Sequence, residues 1–145
     1  MDKMKALLVL LVIIISLAFT PLVEAAKWVY WITDKESNKW YYDSESITYP
    51  AKGTLRVWEK TIYSEAGRKS LEKDIGTKPS DISKTKALDE FNCTKRKFRI
   101  TNSIAFNSSD KVVSKGGDKI RDWQAIHPET LIEFLYNEVC KKDKP

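Results

Sequence analysis

The chain has 145 residues with 25 basic and 20 acidic side chains, a net charge of +5, one histidine and two cysteines. This length suits one domain whose core folds without a metal, and two cysteines with one histidine fall short of the four ligands of a structural zinc site. Because the acidic residues are interspersed among the basic ones, the positive charge mainly favours solubility, although it also suits an acidic partner.

The first 25 residues have the features of a secretory signal sequence. Two lysines precede an uncharged apolar run from Ala6 to Val23, and a small-residue cleavage site ends at Ala25. About 20 apolar residues could also form an uncleaved membrane anchor, but Thr20-Pro21 interrupts the run, so we favour cleavage. We therefore predict a single domain over residues 26–145, exported to the periplasm or the cell surface, with membrane contact only through the signal segment before cleavage.

The first half of the domain predicts antiparallel strands. Lys27–Thr33 and Lys39–Asp43 are rich in aromatic and β-branched residues and form a predicted hairpin. After a loop over Tyr49–Gly53, the ten residues Thr54–Tyr63 predict a long central strand. Ser64–Thr85 has no clear pattern, and we expect a solvated excursion with at most a short helical turn near Lys69 to Asp74.

The second half predicts another hairpin and a helix. Lys86–Cys93 is followed by Arg96–Phe106, whose alternation places Phe98, Ile100, Ile104 and Phe106 on one face. A short strand near Lys111 to Lys115 ends the β region. Pro128 is expected at the first helical position, and an apolar stripe then repeats at helical spacing. The members of this stripe are Leu131, Ile132, Leu135, Tyr136, Val139 and Cys140.

Together these elements predict an α+β fold: an antiparallel sheet of five to six strands with one C-terminal helix packed on a face and tied by a disulfide. Two cysteines in an exported chain most economically bond to each other. A bond between Cys93 and Cys140 closes a loop of 47 residues, which the chain-entropy model values at roughly 4 kcal/mol before native strain is subtracted.

The sequence contains no catalytic constellation. His127 is the only histidine, and its sequence neighbours supply neither an orienting acid nor a nucleophile. We therefore predict a non-enzymatic protein without a metal or cofactor. An exported chain that lacks a recognisable nucleic-acid-binding motif is not expected to bind nucleic acid.

One cluster of basic residues is a candidate anion-binding site. It consists of Lys95, Arg96, Lys97 and Arg99, with Lys84 and Lys86 on the preceding strand as neighbours. The alternative is a solvated hairpin tip, where basic residues also discourage edge pairing.

Aromatic residues on the first two strands are candidates for a partner surface. We place Trp28, Tyr30 and Ile32 on the core face of the first strand and Val29 and Trp31 on the other. One helix is too small to cover the sheet, so Val29, Trp31 and Tyr41 are expected to remain on an uncovered face and to bind a protein or glycan partner or a second copy of the chain.

The order of several short motifs resembles the bacterial surface-adhesin protein E family. The motifs are Trp40–Ile47, Arg56–Lys60, Glu90–Arg99, Trp123–Thr130 and Val139–Cys140. The resemblance implies an antiparallel sheet with a disulfide-tied C-terminal helix and adhesion to host molecules, and it carries over no catalytic or binding residue. The leading hypothesis is an exported, adhesin-like binding protein of the bacterial envelope or surface; the alternative is a periplasmic protein that binds a small ligand or an envelope partner.

Overall fold

The computed structural model describes residues 25–75, 82–117 and 121–143. The predicted signal sequence, apart from Ala25, lies outside the described residues. Within these ranges the chain forms one antiparallel sheet of eight strands and two α-helices, α1 (Glu65–Ile75) and α2 (Leu131–Val139). The strands are β1 (Trp28–Thr33), β2 (Lys39–Asp43), β3 (Thr48–Ala51), β4 (Thr54–Ile62), β5 (Ile82–Asn92), β6 (Lys97–Asn107), β7 (Val112–Gly116) and β8 (Gln124–Ala125).

The three long strands β4, β5 and β6 form the centre of the sheet, and each outer side is divided between short strands. The main path runs β1-β2-β4-β5-β6-β7. The two halves of β4 pair with β3 and with β2, and β6 pairs in the same way with β8 and β7. A 3-10 turn at Ser44–Ser46 separates β2 from β3, and the Ser46 hydroxyl accepts a hydrogen bond from the Trp58 N–H.

The antiparallel sheet is confirmed, but the predicted strand count was too low. β3 occupies most of the predicted loop at Tyr49–Gly53, and β8 lies in the predicted linker before α2. Pro50 fits in β3 because β3 is an edge strand and Pro50 is not among its paired residues, so the missing N–H costs no ladder hydrogen bond. β5 also begins earlier than expected, at Ile82.

The apolar stripe of α2 packs on one side of the sheet, which we call the covered face. The buried side chains of the strands and of the helix form one cluster, and the rings of Phe91 and Tyr136 lie 6.2 Å apart within it. Burial of this stripe is the main stabilising contribution of the helix. The buried members are Leu55, Val57, Phe91, Ile126, Leu135, Tyr136, Val139 and Cys140.

The predicted disulfide is confirmed. Cys93 and Cys140 are bonded, with their Cα atoms 5.7 Å apart, within the usual range for a disulfide. The Tyr136 hydroxyl also donates a 2.8 Å hydrogen bond to the Cys93 carbonyl. The end of β5 is therefore tied to α2 by a covalent bond and a polar contact.

The start of α2 differs from the prediction. The helix begins at Leu131, not at Pro128, with Thr130 as its N-cap residue. The Thr130 hydroxyl accepts from the Glu133 N–H and donates to the His127 carbonyl. A capping threonine with an acid three residues later defines this start more strongly than the upstream proline.

Helix α1 occupies half of the excursion that was expected over Ser64–Thr85 and is longer than the short helical turn predicted there, while residues 76–81 lie outside the described ranges. Ser64 caps it, since its hydroxyl accepts from the Gly67 N–H. The Ser64 N–H in turn donates to the buried Asn38 side chain, which lies where a Cβ on residue 67 would be. The helix has few apolar residues, and its described contacts with the rest of the chain are a serine cap and a close approach of Gly67 to the β1–β2 hairpin.

Two β-bulges overturn the predicted faces. In β6 the pairing skips Thr101, so Phe98 packs toward the core while Phe106 lies on the opposite side, beside Lys84. In β1 the pairing skips Trp31. An extra residue in a strand shifts the alternation of all residues beyond it, so Phe98, Ile100, Ile104 and Phe106 do not share a face.

Candidate functional site

The side of the sheet opposite α2, here called the helix-free face, brings lysines and aromatic rings together. Residues paired across antiparallel strands share a face, and the register pairs Tyr30 with Tyr41, Tyr41 with Lys60, and Lys60 with Lys86. The same face carries further residues of the neighbouring strands. These are Trp28, Trp58, Lys84, Ile104 and Phe106.

Rings and ammonium groups alternate across this face. The Lys60 ammonium lies 4.3 Å from the Trp28 ring centroid and 4.7 Å from that of Tyr41. Lys86 lies between Trp28 and Phe106, at 5.3 Å and 5.6 Å, and Lys84 lies 5.0 Å from Phe106. All are within the range of cation–π attraction. We call this set the lysine–aromatic row; its members are Tyr41, Lys60, Trp28, Lys86, Phe106 and Lys84.

The positive charge of the row is only partly neutralised. Lys84 forms a 2.6 Å ion pair with Asp110, whereas the ion pairs found within the described ranges include neither Lys60 nor Lys86. Burial lowers the pKa of Lys60 first, and the nearby ammonium groups of Lys86 and Lys84 lower it further. The row is therefore an electrostatic environment that favours an anion.

A small cavity opens beside the row. Its volume is 230 Å³, below the roughly 300–1,000 Å³ of sites for drug-sized ligands. Asp43 lies at its edge, but one carboxylate oxygen is engaged by the backbone N–H groups of Lys27 and Glu45. The lining residues are Ala26, Trp28, Asp43, Trp58, Lys86, Ile104 and Phe106.

Toward the other end of β4 and β5, the helix-free face holds an ion-pair cluster in which two arginines share one carboxylate. The buried Glu90 carboxylate accepts from both Arg56 and Arg99, and the Arg99 guanidinium lies 4.4 Å from the Trp123 ring centroid. Burial raises the pKa of Glu90, but the hydrogen bonds from the two arginines outweigh it and hold the pKa below its ordinary value. This cluster is a satisfied structural contact.

The predicted anion-binding residues have different surroundings in the structure. Arg99 belongs to the Glu90 cluster, and Arg96 pairs with Glu133 while lying over the Tyr136 ring. Lys95 and Lys97 are exposed at the β5–β6 turn. The two arginines of this predicted set are thus committed to carboxylates, and anion binding at the turn stays a prediction. Lys84 and Lys86 instead lie beside Lys60.

The predicted partner residues are divided between the two faces. Val29 pairs with Tyr42, which packs against the core, and Trp31 packs against the same core. Tyr41 lies on the helix-free face with Tyr30, which is 54% exposed. The assignment of Trp28 and Tyr30 to the core was therefore wrong. Binding of a partner or of a second copy through Val29, Trp31 or Tyr41 stays a prediction.

Two buried acids occupy the covered face. Asp89 pairs with Val57, and Glu59 pairs with Ala87 on the same two strands. Burial raises the pKa of Asp89 to about 7, and burial together with the charge of Asp89 raises that of Glu59 well above its ordinary value. One buried oxygen of Asp89 has no hydrogen-bond partner among the described residues. These acids favour their neutral forms at moderately acidic pH.

A larger groove lies where the end of α2 approaches β2 and β3. Its volume is 440 Å³, and its lining mixes aromatic, apolar and charged side chains. The lining residues are Tyr42, Ser44, Ile47, Tyr49, Glu138, Val139 and Lys141. Within the described ranges, no three His, Cys, Asp or Glu side chains are grouped to hold a metal ion, and neither helix is long and apolar enough to cross a bilayer.

Comparisons with known proteins agree with this architecture. Residues 28–141 match the family model described as surface-adhesin protein E. Two solved structures of Haemophilus influenzae protein E resemble this structure, one with a TM-score of 0.50, 15% identity and coverage of 78% of this chain and 84% of that one. The other has a TM-score of 0.52, 12% identity and coverage of 83% and 91%. A search of curated proteins found no match.

Proposed function

This chain belongs to the surface-adhesin protein E family, and we propose that it holds its partner on the helix-free face of the sheet. Family membership makes it an adhesin-like binding protein and favours a non-enzymatic role at the cell surface. The observation that carries the proposed location is the lysine–aromatic row. Tyrosine and tryptophan are typical of surfaces that recognise partners, and α2 already occupies the opposite face.

The composition of this face also favours an acidic partner. Lys60 and Lys86 lie side by side on β4 and β5. The arginines of the neighbouring ion pairs, Arg56, Arg96 and Arg99, already have carboxylate partners. A positive patch of this kind raises the rate at which a negatively charged partner is encountered and fixes its orientation. Exposed Tyr30 extends the surface to the edge strand.

The experiment is to produce the full chain, with its own N-terminal segment, in a non-adherent bacterium and to measure attachment to an epithelial cell layer. We expect more attachment than for cells without the protein. The double substitution Lys60→Glu and Lys86→Glu should abolish the gain, because it reverses the charge of the row. Lys95→Glu with Lys97→Glu makes the same charge change at the β5–β6 turn and should leave attachment intact. An equal attachment with and without the protein would contradict an adhesive role.

The 440 Å³ groove beside the end of α2 favours a second candidate, a periplasmic protein that binds a small ligand. Its size falls within the usual range for such sites, and Glu138 and Lys141 supply polar groups at its rim. Labelling of intact cells with a reagent that cannot cross the outer membrane separates the two candidates. An adhesin is labelled on intact cells, whereas a periplasmic protein is labelled only after the outer membrane is opened.

A further inference from the structure

The central strands carry a cross-strand pair of like charges, Lys60 and Lys86, and neither lysine forms an ion pair among the described residues. The Asp43 carboxylate attracts Lys60 from the edge of the cavity, but one of its oxygens already accepts two backbone N–H groups. On the helix-free face, β4 and β5 place Arg56 opposite Glu90, an attractive pair, but Lys60 opposite Lys86. Like charges directly opposite each other destabilise a sheet. The two ammonium groups are also held close to rings, which restricts how far they can move apart. An anion placed between them would relieve this repulsion.

The Trp28 ring joins the two charges to an apolar space. It lies 4.3 Å from the Lys60 ammonium and 5.3 Å from that of Lys86, and it lines the 230 Å³ cavity together with Ile104 and Phe106. A cavity of this size accepts one ring-sized group. The negative face of an aromatic ring attracts the weakly positive C–H groups on the face of a sugar ring.

We infer that this part of the helix-free face binds an anionic glycan. A sulfate or carboxylate of the glycan lies between the Lys60 and Lys86 ammonium groups, and the attached sugar ring enters the cavity against Trp28 and Phe106. This inference rests on the proposed function, for which it names the ligand class. An acidic polypeptide without ring-bearing side chains, such as poly-glutamate, would satisfy the two lysines but would leave the cavity without a ring to fill it.

The test uses three purified probes against the purified protein at about 0.15 M salt, where weak long-range attraction is screened. The probes are heparin oligosaccharides, poly-glutamate of matched charge, and uncharged dextran. We expect heparin to bind most tightly and dextran not to bind. Lys60→Gln with Lys86→Gln should raise the heparin Kd at least about tenfold, because two charge-assisted contacts are lost. The matched control Lys95→Gln with Lys97→Gln should change the Kd little.

A second variant separates the sugar contact from the charge contact. Ile104→Phe narrows the cavity without changing any charge, and it should weaken heparin binding while leaving the weaker poly-glutamate binding unchanged. Thermal unfolding of each variant checks that the sheet is intact. If the Ile104→Phe variant does not fold, Phe106→Leu takes its place, because it removes one ring contact in the same cavity.

Three results would overturn the inference. Heparin affinity that depends on Lys95 and Lys97 would move the site to the β5–β6 turn. Equal binding of heparin and poly-glutamate, with no effect of Ile104→Phe, would show that charge alone explains the binding and would reject a glycan as the specific ligand. Absence of heparin binding, combined with loss of cell attachment in the Lys60→Glu, Lys86→Glu variant, would reject the ligand class while the proposed function stands.

Discussion

The two faces of the same strands handle paired like charges in opposite ways. On the covered face, β4 and β5 hold the acids Glu59 and Asp89, and burial raises both pKa values so that these acids can lose their charge by taking up protons. On the helix-free face, the same strands hold Lys60 and Lys86, whose ammonium groups lie over aromatic rings at the surface. The buried acids can be neutralised by taking up protons, whereas the two half-buried ammonium groups would be balanced by an anion bound from outside. The covered face holds the core that stabilises the fold, and we propose that the helix-free face binds the partner.

The largest expected effect concerns the link that holds α2 on the covered face. Replacing Cys93 and Cys140 with serine should lower the free energy of unfolding by roughly 4 kcal/mol or somewhat less, because the unfolded chain loses a constraint over 47 residues. Urea unfolding of the two proteins measures the difference. Heparin binding by the folded fraction should persist, since the disulfide does not contact the lysine–aromatic row. A variant as stable as the parent protein would show that α2 is held by packing alone.

The next effect is a dependence of stability on pH that originates from the covered face. Because the pKa of Asp89 is about 7 in the folded protein against an ordinary 3.8, its contribution is present at low pH and is lost as the pH rises through 7. Glu59, whose pKa is also raised, acts in the same direction. The free energy of unfolding should fall by about 1–2 kcal/mol between pH 6 and pH 8.

Asp89→Asn should remove much of this pH dependence, because asparagine fills the same space without ionising. Asp110→Asn is the control: this exposed carboxyl has a pKa that Lys84 lowers, so it is ionised throughout the same range. Chemical unfolding at several pH values provides the comparison. A parent protein that becomes more stable above pH 7 would contradict the assignment of a neutral acid to the covered face.

The smallest effect is expected on the helix-free face. Lys60→Gln with Lys86→Gln removes both the repulsion between the ammonium groups and their attraction to the rings, so the stability should stay within about 1 kcal/mol of the parent value. Thermal unfolding of the parent protein, of this variant and of the Lys95→Gln, Lys97→Gln control measures the difference in stability. A loss of several kcal/mol would mean that the row is a structural part of the sheet and not a binding surface.

The sequence predicted the covered face better than the helix-free face. The apolar stripe of α2 follows from its helical periodicity, and the disulfide follows from the presence of only two cysteines in an exported chain. The bulges at Trp31 and Thr101 depend on pairing with neighbouring strands, and each one reverses the face of the residues beyond it. Alternation along β6 therefore could not place Phe106 in the lysine–aromatic row, and the wrong face of Trp28, which precedes the bulge of β1, came from choosing the wrong side of that strand as the core.

Helix α1 was also underestimated, because the evidence for it lies in polar contacts. Ser64 before Glu65 and the spacing of Glu65 and Lys69 were the available signals, and these two charged residues form a 2.9 Å ion pair. The contact between Gly67 and Asn38 joins segments far apart in the sequence, and no local pattern reveals it. The only sequence signal of the lysine–aromatic row was the presence of lysines at alternate positions of one strand. These are Lys84 and Lys86 of β5.

The most direct test of the division between the two faces is an NMR titration of the protein with a heparin oligosaccharide, following the backbone amides and the lysine side-chain signals. The account predicts the largest shifts at the Lys60 and Lys86 side chains and at the indole of Trp28, with little change in α2. Shifts confined to Lys95 and Lys97 at the β5–β6 turn, or to the residues of α2, would contradict it.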